Sequence, residues 1–240
     1  MTDLFVAHNL CKRFGGVHAL HNVEVTQRSG ETLGMIGPNG SGKTSFVNAV
    51  TGELALDSGK VDFEGTDITG ARPHKVADAG LARTFQAVRL FARLSVRDNL
   101  ETAMLALEDP AHTLEAAELV ELLQWLKLDS RLDATAGSLT LFEQRRLELA
   151  MRLMMRPRLI MLDEPVGGLA PGETRAMMQI LQELKSRCAI FVIEHTMRVI
   201  RELADRVVVL ITGEKVADGP PAEILKDKRV IEQYLGTAHA

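Results

Sequence analysis

The sequence predicts an α/β fold in which a mostly parallel sheet is covered on both faces by helices. Three observations carry that expectation: short, uniformly apolar runs recur between helix-period segments, a glycine-rich loop joins one such run to a helix, and a long helix-forming stretch interrupts the alternation. Residues 4–8 and 17–26 read as strands around the turn Phe14-Gly15-Gly16, and Thr32–Ile36 reads as a buried strand entering the glycine-rich loop, with a helix expected from Lys43. Residues 60–63 and 81–85 read as further strands, separated by a helix that Pro73 starts. From about residue 90 to 157 the texture is helix-forming, opened by Ser95-Val96-Arg97-Asp98, an acidic variant of a capping box, and punctuated by Pro110. Leu147, Ala150, Met151 and Met154 share one helical face there, a core stripe, and Glu148 stands four residues before Arg152. Beyond Pro157, residues 159–162, 189–193 and 207–210 read as buried strands, and residues 171–187 and 197–203 as helices.

Length and composition bound the function. The chain has 240 residues, enough for one large domain or a core with a small subdomain at roughly 150 residues per domain. It is 46% hydrophobic and 25% charged, which suits a chain with a sizeable core. A formal charge of −4 supplies no basic field for a nucleic-acid backbone, so nucleic acid is not expected as a partner. Cys11 and Cys188 match no metal-ligand spacing, and the start MTDLFVAHNL lacks the basic and apolar zones of a signal peptide, so a reducing cytoplasm is expected. No apolar stretch approaches the roughly 18 to 20 residues of a membrane span, so any membrane role is expected to run through a partner.

Gly37-Pro38-Asn39-Gly40-Ser41-Gly42-Lys43-Thr44 matches G-x-x-x-x-G-K-[ST] between an expected strand and an expected helix, the context the motif needs. Its glycines let the main chain wrap phosphates, so that backbone N–H groups and the helix N-terminus face negative charge. Lys43 would reach the β- and γ-phosphates and Thr44 a magnesium ion, with Ser45 completing the nucleotide-binding segment. Residues 159–162 form an apolar strand that ends in Asp163-Glu164, carboxylates placed for a parallel-sheet edge. Asp163 would hold Mg2+, and Glu164 would orient or deprotonate the attacking water.

With these motifs in place, the chain resembles the nucleotide-binding subunits of ABC transporters along essentially its whole length. The resemblance implies a P-loop NTPase core with a mostly parallel sheet, an N-terminal antiparallel β part and an inserted helical subdomain. Residues 1–89 and 158–240 would be the two parts of the ATP-binding core, and 90–157 the helical insert. Phe14 occupies the position of the aromatic that stacks on adenine, Arg83-Thr84-Phe85-Gln86 matches the Q-loop, and Ile193-Glu194-His195 ends a strand as the switch histidine does. Gln86 would then sense magnesium and the γ-phosphate, and His195 would lie near the γ-phosphate. The Arg-Thr-Phe-Gln block, Val88-Arg89-Leu90-Phe91, Glu194-His195 and Tyr234-Leu235-Gly236 look most like the subgroup serving importers of branched-chain amino acids, amides and urea. The lipopolysaccharide-export ATPase is a near relative. The implied partners are membrane permease subunits, a second ATP-binding subunit and, indirectly, a solute-binding protein, at the inner face of the cell membrane. Val88, Leu90 and Phe91 are candidates to receive a short permease helix.

The chain departs from this family at its signature loop. Leu-Ser-Gly-Gly-Gln, or Leu-Ser-Tyr-Gly-Gln in the subgroup, is replaced by Leu139-Thr140-Leu141-Phe142-Glu143. Thr140 keeps a hydroxyl, but Phe142 replaces a glycine that allows close approach to phosphate, and Glu143 puts a negative charge in place of a neutral amide. Both changes are expected to weaken ATP binding at that surface, which in the family's head-to-tail dimer faces the partner's nucleotide. The expectations are an asymmetric heterodimer with one competent site, a regulatory subunit that holds ATP with little hydrolysis, a tolerated variant, or an engineered or decaying copy that no longer works. Gly167-Gly168-Leu169-Ala170 also lacks the aspartate common in the D-loop.

Overall fold

The computed structural model describes residues 3–105, 114–227 and 230–232, and the chain divides into two compact units. The first unit combines Met1–Val76 with Ala189–Ala240, and the second is Ala77–Cys188. The chain crosses from one to the other within helix α2 (Pro73–Asp78).

In the first unit, β1 (Asp3–Phe14) pairs antiparallel with both β2 (Val17–Arg28) and β4 (Ser58–Phe63), and β5 (Thr66–Asp67) extends the sheet from β4. The hairpin turns through Gly15 at φ 57°, a left-handed conformation that glycine adopts without steric cost. Asn9 and Asn22, at φ 47° and 49°, mark the irregular register on the two paired strands. A second sheet is built around buried apolar strands, with a polar strand at its edge. β3 (Thr32–Ile36) lies between parallel neighbours β8 (Ala189–Ile193) and β9 (Arg206–Ile211), and β10 (Glu214–Gly219) closes the edge antiparallel to β9. Helix α1 (Lys43–Val50) brings Phe46 against rings from both sheets: edge-on to Phe5 at 6.2 Å and stacked on Phe191 at 5.7 Å. Helix α7 (Met197–Leu203) and the short α8 (Pro221–Ile224) complete this unit.

In the second unit, β6 (Leu81–Arg83) and β7 (Leu159–Asp163) pair parallel, with Arg83 opposite Met161. Between them come α3 (Val96–Leu105), α4 (Ala116–Trp125), two 3-10 turns at Asp129–Arg131 and Ala136–Ser138, and α5 (Leu141–Leu153); α6 (Pro171–Leu184) follows β7. The expected cap of α3 forms: the Ser95 hydroxyl accepts the Asp98 N–H at 3.0 Å and donates to the Asp98 carboxylate at 2.6 Å. Leu147, Ala150, Met151 and Met154 are all buried, as their spacing predicts. The helical stretch is not continuous, because residues 126–140 form an irregular connection held by the bridge between Ser95 and Thr135. Strand β6 also stops at Arg83 instead of reaching Phe85, which leaves Gln86 on a loop.

Pro110 and Tyr234-Leu235-Gly236 lie outside the described residues. Among the described residues, no helix is long and apolar enough to cross a membrane. Cys11 and Cys188 are unpaired, and burial pushes the Cys188 thiol up to about 12.

Candidate functional site

The first unit carries the phosphate-type loop. Ile36 ends β3, the chain turns through residues 37–42, and α1 starts at Lys43. A side chain at Gly37 would collide with the Leu210 carbonyl at 2.1 Å, and Gly42 caps the helix at φ 105°, so the loop needs glycine at both positions. The N-terminus of α1 has no side-chain cap and no acid in its first turn, so its first N–H groups and positive dipole end remain available for an anion. The Ser41 hydroxyl is buried in the same loop and meets no hydrogen-bond partner among the described residues. The Lys43 ammonium donates to the carbonyls of Gly37 at 2.7 Å and Pro38 at 3.0 Å, which bends the cation over the loop. Asn39, Gly40 and Thr44 are exposed, and Pro38 and Ser45 half-buried, around that cation. These features fit a bound polyphosphate.

His195 leaves the same sheet edge. Met35 pairs with Ile193 in register, so the residues after β3 and after β8 emerge side by side. His195 is exposed, whereas Glu194 is fully buried and its carboxylate accepts the N–H groups of His195 at 3.2 Å and Thr196 at 3.3 Å. Glu194 therefore fixes the turn that presents the imidazole, a role the sequence alone did not assign. Phe14, where an isolated phenylalanine would more often be core, is 52% exposed, with the Lys12 ammonium 5.6 Å from its ring centre. A ring face in solvent beside a cation is suited to stacking on a planar base.

The second unit carries the carboxylates. The Gln86 amide donates to the Glu164 carboxylate at 2.9 Å, a contact between two separately expected site residues that the sequence did not predict. Glu164 sits at φ 48°, a strained setting for a non-glycine residue, in a turn closed by Gly167 N–H donating to its carbonyl at 3.0 Å. Asp163 is buried and faces Arg83, with 3.5 Å between guanidinium and carboxylate. Its N–H also lies 3.4 Å from the Thr84 hydroxyl. Arg83 was legible only as part of a motif; its pairing with Asp163 is tertiary. Of the hydrophobic trio, only Phe91 is exposed, and Val88 and Leu90 are half-buried. The buried Asn99 side chain accepts the Phe91 N–H at 2.9 Å and donates to the Phe91 carbonyl at 3.1 Å, so a fixed backbone presents an exposed ring.

Leu139-Thr140-Leu141-Phe142-Glu143 is the N-terminus of α5, and it is closed on itself. Thr140 is the N-cap: its hydroxyl accepts the Glu143 N–H at 3.3 Å, while its own N–H donates to the Glu143 carboxylate at 2.9 Å. Arg131 donates to the other carboxylate oxygen at 2.9 Å. The Thr140 main-chain N–H, then the Thr140 hydroxyl and Arg131, hold the Glu143 carboxyl below its usual range against a smaller opposing effect of burial. The Phe142 ring lies under the Arg146 guanidinium at 4.5 Å, and Arg146 donates to the Leu126 carbonyl at 2.9 Å. Both departures from the signature are thus satisfied locally.

Residues 20–167 match the family model for ABC transporters, and residues 214–240 match the model for the branched-chain amino acid ATP-binding cassette transporter. The chain is 37% identical to the high-affinity branched-chain amino acid transport ATP-binding protein BraF of Pseudomonas aeruginosa, covering 95% of this chain and 96% of that protein. It is 33% identical to the high-affinity branched-chain amino acid transport ATP-binding protein LivG of Escherichia coli (strain K12), over 98% of each. Among solved structures, an ATP-binding cassette of an ABC transporter superposes with a TM-score of 0.87 at 30% identity, covering 98% of this chain and 99% of the other. The ADP conformation of that cassette superposes with a TM-score of 0.85.

Proposed function

The chain belongs to the ABC transporter family as an ATP-binding, ATP-hydrolysing subunit, and from that premise we propose that it powers an importer of branched-chain amino acids or of related amino acids, amides or urea. The solute class rests on the relatives' functions and on the C-terminal match to the branched-chain cassette. The single observation that carries the catalytic part is the Gln86 amide held 2.9 Å from the Glu164 carboxylate, an amide and a base arranged for a water.

In the proposed reaction, the loop from Gly37 to Ser45 cradles the phosphates and Lys43 neutralises charge on the β- and γ-groups, while Phe14 stacks on adenine. Glu164 accepts a proton from water as the water oxygen bonds to the γ-phosphorus and the bond to the β–γ bridging oxygen breaks, giving ADP and phosphate. His195 contacts the γ-phosphate, presented by Glu194. Thr44, Gln86 and Asp163 are the residues to hold Mg2+, which supplies charge neutralisation on the phosphates when bound. Asp163 would exchange part of its pairing with Arg83 for that role.

The working assembly proposed is a pair of ATP-binding subunits on two permease subunits at the inner membrane face, served indirectly by a solute-binding protein. Phe91, exposed on a backbone fixed by Asn99, is the contact offered to the permease. The closed Glu143 cap favours an asymmetric heterodimer, because it places a carboxylate where the partner's nucleotide would need donors. A regulatory role with little hydrolysis is the second reading, and the intact Glu164 and His195 weigh against it.

Two measurements test the proposal. Deleting the chain from its cells is expected to abolish energised uptake of labelled leucine, isoleucine and valine; unchanged uptake of these with loss of urea or amide uptake would reassign the solute. In the transporter purified through a tag on this chain, Glu164→Gln is expected to abolish ATP hydrolysis at this chain's site while ATP still binds; hydrolysis unaffected by that change would contradict the catalytic assignment.

A further inference from the structure

Helix α5 carries two charged residues that are buried and aimed at the loops flanking the Gln86–Glu164 pair. Arg145 is 8% exposed, and its guanidinium donates to the Gly167 carbonyl at 2.7 Å and more weakly to the Gln86 carbonyl at 3.5 Å. Gly167 closes the turn that begins at Glu164, so one guanidinium touches the main chain of both loops. One helical turn later, Glu148 is 1% exposed and accepts the Arg89 N–H at 3.2 Å, and the Phe85 main-chain N–H lies close enough to favour its charge. Its two partners bracket Gln86 in sequence. The Phe85 ring is held in turn by the guanidinium of Arg89 at 3.6 Å and that of Arg83 at 4.7 Å.

We propose that Arg145 and Glu148, three residues apart on α5, are positioning residues that hold the Gln86 loop and the Glu164 turn in register so that the Gln86 amide meets the Glu164 carboxylate. Packing does not require charges at these sites, because Leu147, Ala150 and Met151 already supply the apolar face of the helix. Burying a carboxylate and a guanidinium is unfavourable unless their partners are well placed; Glu148 has the charges of Arg152 and Arg145 beside it on the helix, and the hydrogen bonds of Arg145 and Glu148 run to main-chain groups of the two loops that carry the proposed chemistry. The inference rests on the reading that Gln86 and Glu164 serve ATP hydrolysis.

The test uses the transporter purified through a tag on this chain. Arg145→Ala and Glu148→Ala are expected to lower kcat by on the order of 10- to 100-fold with little change in KM for ATP, as a misplacement near 1 Å does. Combined with Gln86→Ala, either change is expected to add little further loss, because all three disturb one contact. If an alanine variant fails to fold, Arg145→Lys and Glu148→Gln, checked by thermal unfolding, keep the approximate size; the first loses the guanidinium that reaches both loops, and the second loses the charge that strengthens the bond from Arg89. Losses that multiply with that of Gln86→Ala, a raised KM with kcat intact, or well-folded variants of unchanged kcat overturn the proposal. Glu164→Gln separates the two levels: if it leaves hydrolysis intact, the catalytic reading itself fails, and if it abolishes hydrolysis while the α5 variants are silent, only the positioning role fails.

Discussion

The N-termini of α1 and α5 are the same structural device put to opposite electrostatic use. At α1, Gly42 is the cap, no acid lies in the first turn and no side chain takes up the leading N–H groups, so the positive dipole end faces outward. At α5, Thr140 and Glu143 satisfy each other in a capping box, and the Glu143 charge sits at the dipole's positive end with Arg131 beside it. One helix start is prepared for a phosphate and the other is occupied by its own carboxylate. A departure from a family motif can therefore stabilise the local fold while it removes the feature that bound a ligand: Thr-x-x-Glu caps a helix as Ser-x-x-Gln does, but adds a charge.

The contrast can be broken or sharpened experimentally. The largest effect is expected at the open end. Lys43→Ala should abolish detectable ATP hydrolysis and weaken nucleotide binding by on the order of 100-fold, measured by fluorescent-nucleotide titration, since a charge-assisted phosphate contact is lost. Next, Phe142→Gly combined with Glu143→Gln should open the closed end and raise ATP turnover of the isolated chain by about ten-fold or more, one 1.4 kcal/mol step, if a second copy can then contribute its signature. A smaller effect is expected from Thr140→Ala, which removes the hydroxyl that accepts the Glu143 N–H; urea unfolding should show a loss of about 1 kcal/mol.

The smallest effect is in pH. The Glu143 carboxyl is held below its ordinary 4.5 in the fold, so its contribution is complete above that value and is lost as pH falls through the folded-state pKa. Glu143→Gln should flatten that part of the acid-unfolding profile by removing the contribution present at neutral pH, with little change in stability at low pH. A profile of unchanged slope would mean that the cap does not hold in solution.

The core strands were legible because β3 and β8 are apolar throughout and so can only be buried on both faces. β5, β10 and α8 were not: β10, Glu214–Gly219, is a polar edge strand with mostly exposed residues, and β5 and α8 are two and four residues long. The phosphate loop, Gln86 and Glu164 were readable from motif spacing, because residues that grip phosphate must occur in a fixed local order. Glu194, Arg145 and Glu148 were not readable as positioners, since their partners are main-chain groups of loops or turns that the fold brings to them. The Glu143 charge is legible in the sequence, and its cap with Thr140 lies at the same three-residue spacing as the Ser95 cap.

The most direct test of the contrast is steady-state ATP hydrolysis by the purified chain alone, beside Glu164→Gln and beside the Phe142→Gly, Glu143→Gln double variant. The account predicts a nearly inactive wild type and a double variant that hydrolyses ATP in a Glu164-dependent manner. Full turnover by the wild type as a homodimer would contradict it, and would make the closed α5 terminus compatible with a working nucleotide interface.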